Sequence, residues 1–232
     1  MSYSVSVLKK YHDEMESMIA WYAQFPVESL EVCISNGNMK VGNVPNVSLP
    51  ADFTCPNCST CTKDCYDKKA CIQYKNVLKA RARNYSILKR NYELYWQQIR
   101  SKIAKLKTKY FRFHVSGDII SEMYFSDMVK TARMFPHIRF WTYTKAFESV
   151  NEYVRTHGGR RDKAIPENLS VMFSAWTDKL IPENPYGFPV FLAMAEKQEK
   201  PEGFMYCPSD CSWCIAHHTG CPYGKNVCIR IH

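Results

Sequence analysis

The chain has 232 residues, 46% hydrophobic and 14% aromatic, enough to bury a full core as one domain. No apolar run approaches the roughly 18–20 residues of a membrane span, and the N-terminal stretch to Phe25 carries charge through its apolar positions with no small-residue cleavage site. The net charge of +9 is localised, with fifteen Lys and Arg against three acids between Lys63 and Arg112 and −3 over the remainder.

These features argue against secretion and membrane insertion, and the expected compartment is the cytoplasm. A localised positive field favours a polyanionic partner such as a nucleic acid. The alternative is a solvated helix face rich in Lys.

In chain order, the first 25 residues read as an amphipathic helix and Glu31–Ser35 as a strand. Asn36-Gly37 signals a hairpin, and Pro45 and Pro50 mark turns. Tyr85, Leu88, Tyr92, Tyr95, Ile99, Ile103 and Leu106 then recur at steps of three or four, which predicts one buried helical stripe. From residue 110 strands and helices alternate. Tyr110–Val115 is a strand, Ser121 caps a helix to about Met134, and Ile138–Tyr143 is a second strand. Phe147–Arg155 is a helix ended by Gly158 and Gly159. Leu169–Ser174, Val190–Ala193, Phe204–Tyr206 and Asn226–Ile231 complete the strands. Alternation of this kind predicts a parallel sheet with outer helices, either open or part of a barrel. Chemistry in such folds gathers at the carboxyl ends of the strands.

Ten of the eleven cysteines fall in two short stretches. In a reducing compartment that richness points to metal or redox chemistry and away from disulfides. Only Cys33 stands alone, and it reads as a core residue. Cys55, Cys58, Cys61 and Cys65 lie inside eleven residues, with Cys71 just beyond. Zinc usually draws its ligands from two separated pairs, whereas an iron–sulfur cluster accepts closely spaced thiolates from one loop, so this loop leans toward iron–sulfur. At the other end Cys207, Cys211, Cys214 and Cys221 lie within fifteen residues, with His217, His218 and His232 as alternates. Four thiolates suit a zinc ion or a second 4Fe–4S cluster. Cys228 reads as packing.

Three strand ends carry polar residues. They are His114, Ser116, Gly117 and Asp118 after the first, Thr142, Thr144 and Lys145 at the second, and Ser174 and Trp176 at the third. A small turn lets a ligand approach the backbone, and Asp118 is placed to receive an amine or simply to cap the next helix. A phosphohydrolase built on His114 and Asp118 lacks the further His- and Asp-rich motifs of a two-metal site.

Taken in order, TCP…C…CY, R-x-H-x-SGD, FW-x-YTK, PENLSVMFS, CP…C..C and a terminal His resemble the phage "gene product 88" family from about Asn38 to His232. That family looks related to radical S-adenosylmethionine proteins. The resemblance implies an α/β fold of the partial (β/α) barrel type, divided into residues 1–203, with an N-terminal helix and hairpin over 1–50, and a cysteine-rich segment 204–232. It implies Cys55, Cys61 and Cys65 as ligands of a 4Fe–4S cluster, with Cys58 and Cys71 extra. Ser116, Gly117 and Asp118 fall where such proteins bind S-adenosylmethionine. Lys145 is expected to meet a carboxylate or substrate anion, with His114 as a second catalytic candidate, and Cys207, Cys211, Cys214 and Cys221 to hold a second metal. An enzyme of this kind needs an electron donor. The competing expectation is a zinc-stabilised, non-enzymatic protein that binds nucleic acid through residues 63–112, with Tyr85, Tyr92 and Tyr95 stacking on bases.

Overall fold

A computed structural model describes residues 4–58, 60–176 and 183–230. In chain order these form α1 (Val5–Ala23), β1 (Ile34–Ser35), β2 (Asn46–Val47), α2 (Tyr66–Gln73), α3 (Lys75–Arg90), α4 (Tyr92–Lys105), β3 (Tyr110–Phe113), α5 (Glu122–Met134), β4 (Arg139–Thr144), α6 (Phe147–Thr156), α7 (Arg161–Ala164), β5 (Leu169–Ala175), β6 (Val190–Met194), β7 (Met205–Tyr206), α8 (Cys211–Ala216) and β8 (Val227–Arg230). The chain divides into two compact units, Met1–Ser35 with Val47–Lys107 and His114–Asp118, and Asn36–Asn46 with Thr108–Phe113 and Ile119–His232. Among the described residues no helix is long and apolar enough to cross a membrane.

The first unit is helical. Ser4 caps α1 by accepting from the Val7 amide, and α1 buries Tyr11, Met15 and Tyr22. The expected single stripe is interrupted. Asn91 ends α3 and starts α4, its Oδ1 accepting from the Leu94 amide at 3.0 Å. An Asn side chain competes for backbone partners, so it favours a cap over a helix interior. Leu88, Tyr95, Ile99 and Ile103 are buried as the periodicity requires. Tyr95 is therefore core, and Tyr85 meets the Phe53 ring at 6.0 Å between centroids.

Charge inside this unit is paired. Lys68 is 2% exposed, with Nζ 2.5 Å from Asp52 Oδ2 and donating to Thr62 Oγ1 at 2.6 Å. Arg81 reaches Asp67 at 3.1 Å. Part of the basic excess is thus consumed internally, as a buried charge requires.

The predicted strand Glu31–Ser35 shrinks to β1. The amides of Val32 and Cys33 donate to Gln98 Oε1 and Asn84 Oδ1, at 2.6 and 2.7 Å, so side chains take the place of a neighbouring strand.

The second unit is α/β. Among the described residues its strands run β3-β4-β5-β6-β8-β7, every neighbour parallel. The strand order is linear, so the sheet is open and not closed into a barrel. The burial pattern of β5 is nearly continuous, as a parallel strand covered on both faces requires. Ser121 caps α5 as predicted, its Oγ accepting from the Tyr124 amide at 3.1 Å, and α6 gives way to Gly158 and Gly159, both at positive φ. Phe125 of α5 meets Tyr153 of α6, and Phe147 meets Phe173 of β5, at 5.1 and 4.9 Å between centroids. Phe111, Phe113 and Phe140 form an aromatic cluster across β3 and β4. The early hairpin turns at Asn38, whose Oδ1 accepts from the Lys40 and Val41 amides, and not at Asn36-Gly37.

Asn84 is fully buried and joins Cys33 and Ser48 through three hydrogen bonds. Asn84→Ala leaves buried backbone groups unpaired, each costing about 1–3 kcal/mol. A loss of about 2–4 kcal/mol in urea unfolding is expected, and a loss under about 1 kcal/mol would show that these bonds carry little.

Candidate metal and cofactor sites

In the first unit, the loop from Thr54 to Tyr66 carries four cysteines, with residues Thr60–Asp64 forming a 3-10 turn. All eleven cysteines of the chain are free thiols. Cys58 lies 3.9 Å from Cys61, sulfur to sulfur, and within hydrogen-bonding reach of Cys55. Burial pushes Cys65 up to about 11 and drives Cys71 higher still, beside the Asp67 carboxylate. Cys71 is fully buried on α2 and its Sγ donates to Asp67 Oδ2 at 3.6 Å, which makes it part of the core.

The turn after β3 belongs to the same unit. His114 leaves the strand with φ 58 and Gly117 has φ 85. The turn is clamped to both ends of the cysteine loop. The Asp118 amide donates to the Thr54 carbonyl at 3.0 Å, just before Cys55, and Tyr66, just after Cys65, donates its hydroxyl to the Val115 carbonyl. The Leu49 amide donates to Ser116 O at 3.0 Å and the His114 amide to Val47 O at 2.9 Å. A Cβ on Gly117 would meet Leu49 Cβ and Thr54 Oγ1 at 2.8 Å, so no other residue fits without displacement. His114, Ser116 and Asp118 are buried, and among the described residues Ser116 Oγ has no hydrogen-bond partner.

In the second unit the strand ends of β4 and β5 meet. Lys145 Nζ donates to Ser174 Oγ at 3.4 Å and lies 5.5 Å from the Trp176 ring centroid. Thr144 is committed, its Oγ1 accepting from the Ala146 amide, and Thr142 is fully buried. The roles expected of Lys145 and His114 thus fall in different units.

The C-terminal thiols also belong to the second unit. Cys207 follows β7, Cys211 opens α8 with Cys214 one turn on, and Cys221 opens a 3-10 turn to Tyr223. Asp210 caps α8 by accepting from the Ser212 amide at 2.8 Å. Burial raises Cys211, pushes Cys214 up to about 11 and Cys221 up to about 12, and the charges of Cys207 and Cys211 push the last two the same way. Tyr143 and the Arg112 guanidinium both hold the rise of Cys221 down, and Arg112 does the same for Cys211 and lies 4.6 Å from the Tyr143 ring centroid. Cys228 is fully buried in β8, as expected for packing. His217 stacks on Trp213 at 4.1 Å and His218 bonds the Tyr223 hydroxyl at 2.9 Å, while His232 lies outside the described residues.

Among the described residues no three His, Cys, Asp or Glu side chains converge on a single-ion position. Thr54, Tyr66, Ser209, Arg112 and Tyr143 have places at these sites that no spacing in the sequence signals.

This is a cysteine-rich α/β protein with one thiol group in each unit. The gene product 88 family model matches residues 9–226, and the chain belongs to that family. The Gene 88 proteins of Mycobacterium phage L5 and Mycobacterium phage D29 are each 28% identical to it over 156 residues, 62% of this chain and 62% of theirs. The match thus spans less than two thirds of those relatives. No solved structure matches.

Two outcomes follow from this geometry. Gly117→Ala forces an L-residue into a left-handed conformation costing about 1–2 kcal/mol, with the 2.8 Å contacts in addition. Loss of at least that stability is expected in thermal unfolding, and a neutral result would mean that the turn is not held as described. Second, the folded metal-free chain keeps a proton on Cys221 to about pH 12, whereas an unfolded thiol loses it near 8.5. The raised value stabilises fully below pH 8.5, and the benefit fades as pH climbs. Relative to Cys221→Ser, the metal-free wild type is expected to lose about 1.4 kcal/mol per pH unit from pH 8.5 to 10.5. Parallel profiles in urea unfolding would contradict a buried neutral thiol.

Proposed function

We propose that this protein is a radical S-adenosylmethionine-type iron–sulfur enzyme, with the first cysteine loop holding a 4Fe–4S cluster and the 116–118 turn receiving the cofactor's amine. The observation that carries the reading is the double clamp, Asp118 to Thr54 and Tyr66 to Val115, which ties that turn to both ends of the loop. The residues present fit the group. Four thiols sit in one loop, and on the turn tied to both its ends Ser116 Oγ is buried without a hydrogen-bond partner among the described residues, as a group kept for a ligand is. The sequential parallel order β3-β4-β5-β6 is also the order of a partial barrel.

Cys55, Cys61 and Cys65 are the ligands in this reading, leaving one iron open. Cys58, which touches Cys61, is the competitor that would close it. When bound, the cluster supplies one-electron reduction of a sulfonium. The chain contributes the rest. Asp118 holds an ammonium group, Ser116 offers a hydroxyl, Gly117 lets the turn sit against Leu49 and Thr54, and burial excludes water. An external electron donor is required. A nucleic acid is the proposed substrate class, drawn by the exposed lysines Lys79, Lys89, Lys105 and Lys107. A purely stacking role for Tyr95 is disfavoured by its burial.

Protein reconstituted anaerobically with iron and sulfide, then reduced with S-adenosylmethionine present, is expected to yield 5′-deoxyadenosine. Asp118→Asn is expected to cut the yield at least about tenfold, through loss of a charge-assisted bond, while iron content stays unchanged. Colourless protein holding only stoichiometric zinc would end the proposal.

A further inference from the structure

The amino edge of the parallel sheet in the second unit holds a recess that the reading above does not use. Parallel register sets the starts of β3, β4 and β5 side by side. The Arg139 amide donates to Lys109 O at 2.8 Å, and the Phe140 amide to Asn168 O at 2.7 Å. Lys109, Arg139 and Asn168 thus form one row. With Tyr110, Pro136 and His137 they line a cavity of about 190 Å³. Pockets for drug-sized ligands run to roughly 300–1,000 Å³, so this one suits a group of few atoms.

The walls are fixed before any ligand arrives. Asn168 Nδ2 donates to the carbonyls of Ala132, Phe135 and Ile138 at 2.9, 3.1 and 2.8 Å, which ties the end of α5 to the start of β4. The Arg139 guanidinium carbon lies 4.6 Å from the Tyr223 ring centroid. The Tyr223 hydroxyl is itself held, by Tyr110 at 3.0 Å and by His218 Nδ1 at 2.9 Å. A guanidinium packed over a ring keeps its in-plane N–H fork for another partner.

Charge in the recess is unbalanced. Among the described residues neither Lys109 nor Arg139 has a carboxylate partner, and no acid lines the cavity. A larger recess of about 390 Å³ in the same unit gives the contrast. There Arg160 pairs with Asp162 at 2.7 Å and Arg161 donates to the Gly187 carbonyl, so both arginines are already committed. Two unmatched cations at one small cavity repel each other, and a dianion between them removes that repulsion. A phosphate group carries about −1.5 to −2 charges at pH 7 and offers several acceptor oxygens to an arginine fork. A carboxylate brings one charge and leaves one cation unmatched.

We propose that Lys109 and Arg139 form a phosphate-binding site at the amino edge of the sheet, with Tyr223 as the positioning residue that holds the Arg139 guanidinium. The ligand is a phosphate group, either free or at the end of a nucleic acid. The assignment needs neither iron nor the chemistry proposed for the first loop.

The test is a phosphorus NMR titration of the full chain with inorganic phosphate at constant ionic strength. One saturable phosphate per chain is expected, displaced by sulfate, which shares its shape and charge, and not by acetate. Arg139→Gln and Lys109→Gln are each expected to weaken binding at least about tenfold, and Arg139→Lys to recover only part of that loss, because it lacks the fork. Arg160→Gln, at the other recess, is expected to bind as the wild type does. Lys109 is exposed, so its variant decides the matter if Arg139→Gln fails to fold. No saturation below about 10 mM phosphate, equal displacement by acetate, or unchanged affinity in Lys109→Gln would each overturn the site. A short oligonucleotide with and without a 5′-phosphate separates the two sources. Tighter binding of the phosphorylated form, lost in Arg139→Gln, assigns a nucleic-acid end, and equal binding of both forms beside saturable inorganic phosphate assigns the free ion.

Discussion

The first unit depends on a close approach that only a missing side chain permits. Gly117 brings the backbone after β3 against Leu49 and Thr54, where a Cβ would lie 2.8 Å from each. From that approach follow the Asp118 bond to the Thr54 carbonyl and the Ser116 bond to the Leu49 amide. The cysteine loop departs directly from Thr54 and returns at Tyr66, whose hydroxyl closes on Val115. A flexible run of four cysteines thereby has both its ends fixed to one rigid turn. Such pre-organisation lets closely spaced thiols act as a set, because the entropy of ordering them is met by the fold before any ligand binds.

Beneath the loop, buried charge is matched pair by pair. Lys68 meets Asp52 and Thr62, and Arg81 meets Asp67, all within the same unit as the thiols. Asp67 in turn accepts from the Cys71 thiol. A single unpaired member here would be costly, since breaking a buried pair strands its partner. The basic excess between Lys63 and Arg112 therefore has two parts. One part is internal and structural, and the other lies on exposed lysines of α3, α4 and the segment that follows.

The second unit reaches a thiol group by another route. The thiol group is spread over the end of β7, α8 and a 3-10 turn, with the Cys207 amide bonded to the Cys228 carbonyl of β8, the Cys221 carbonyl to Ser170 of β5, and the Cys211 amide to the Lys40 carbonyl. Asn226 Oδ1 accepts from the Val190 amide, and Asn168 reaches three carbonyls around α5 and β4. Such asparagines stitch loops to a parallel sheet where no strand hydrogen bond is available.

Sequence alone determined the α/β class, the alternation of strands and helices after residue 110, the caps at Ser121 and Gly158, the burial of Ile99 and Ile103, and the packing role of Cys228. All of these rest on local periodicity or local backbone chemistry, which neighbours in the chain set directly. It also located both cysteine groups, because density of one residue type is a one-dimensional fact. It did not show that α3 and α4 part at Asn91, that Asn84 and Gln98 replace strand partners for Cys33 and Val32, or that Lys145 and His114 lie in different units. Nor did it show that Cys58 sits against Cys61, that Tyr66 and Thr54 clamp the acidic turn, or that Arg112 and Tyr143 face the C-terminal thiols. Those pairs are separated by tens of residues or depend on rotamers, and only the folded chain decides which side chains meet.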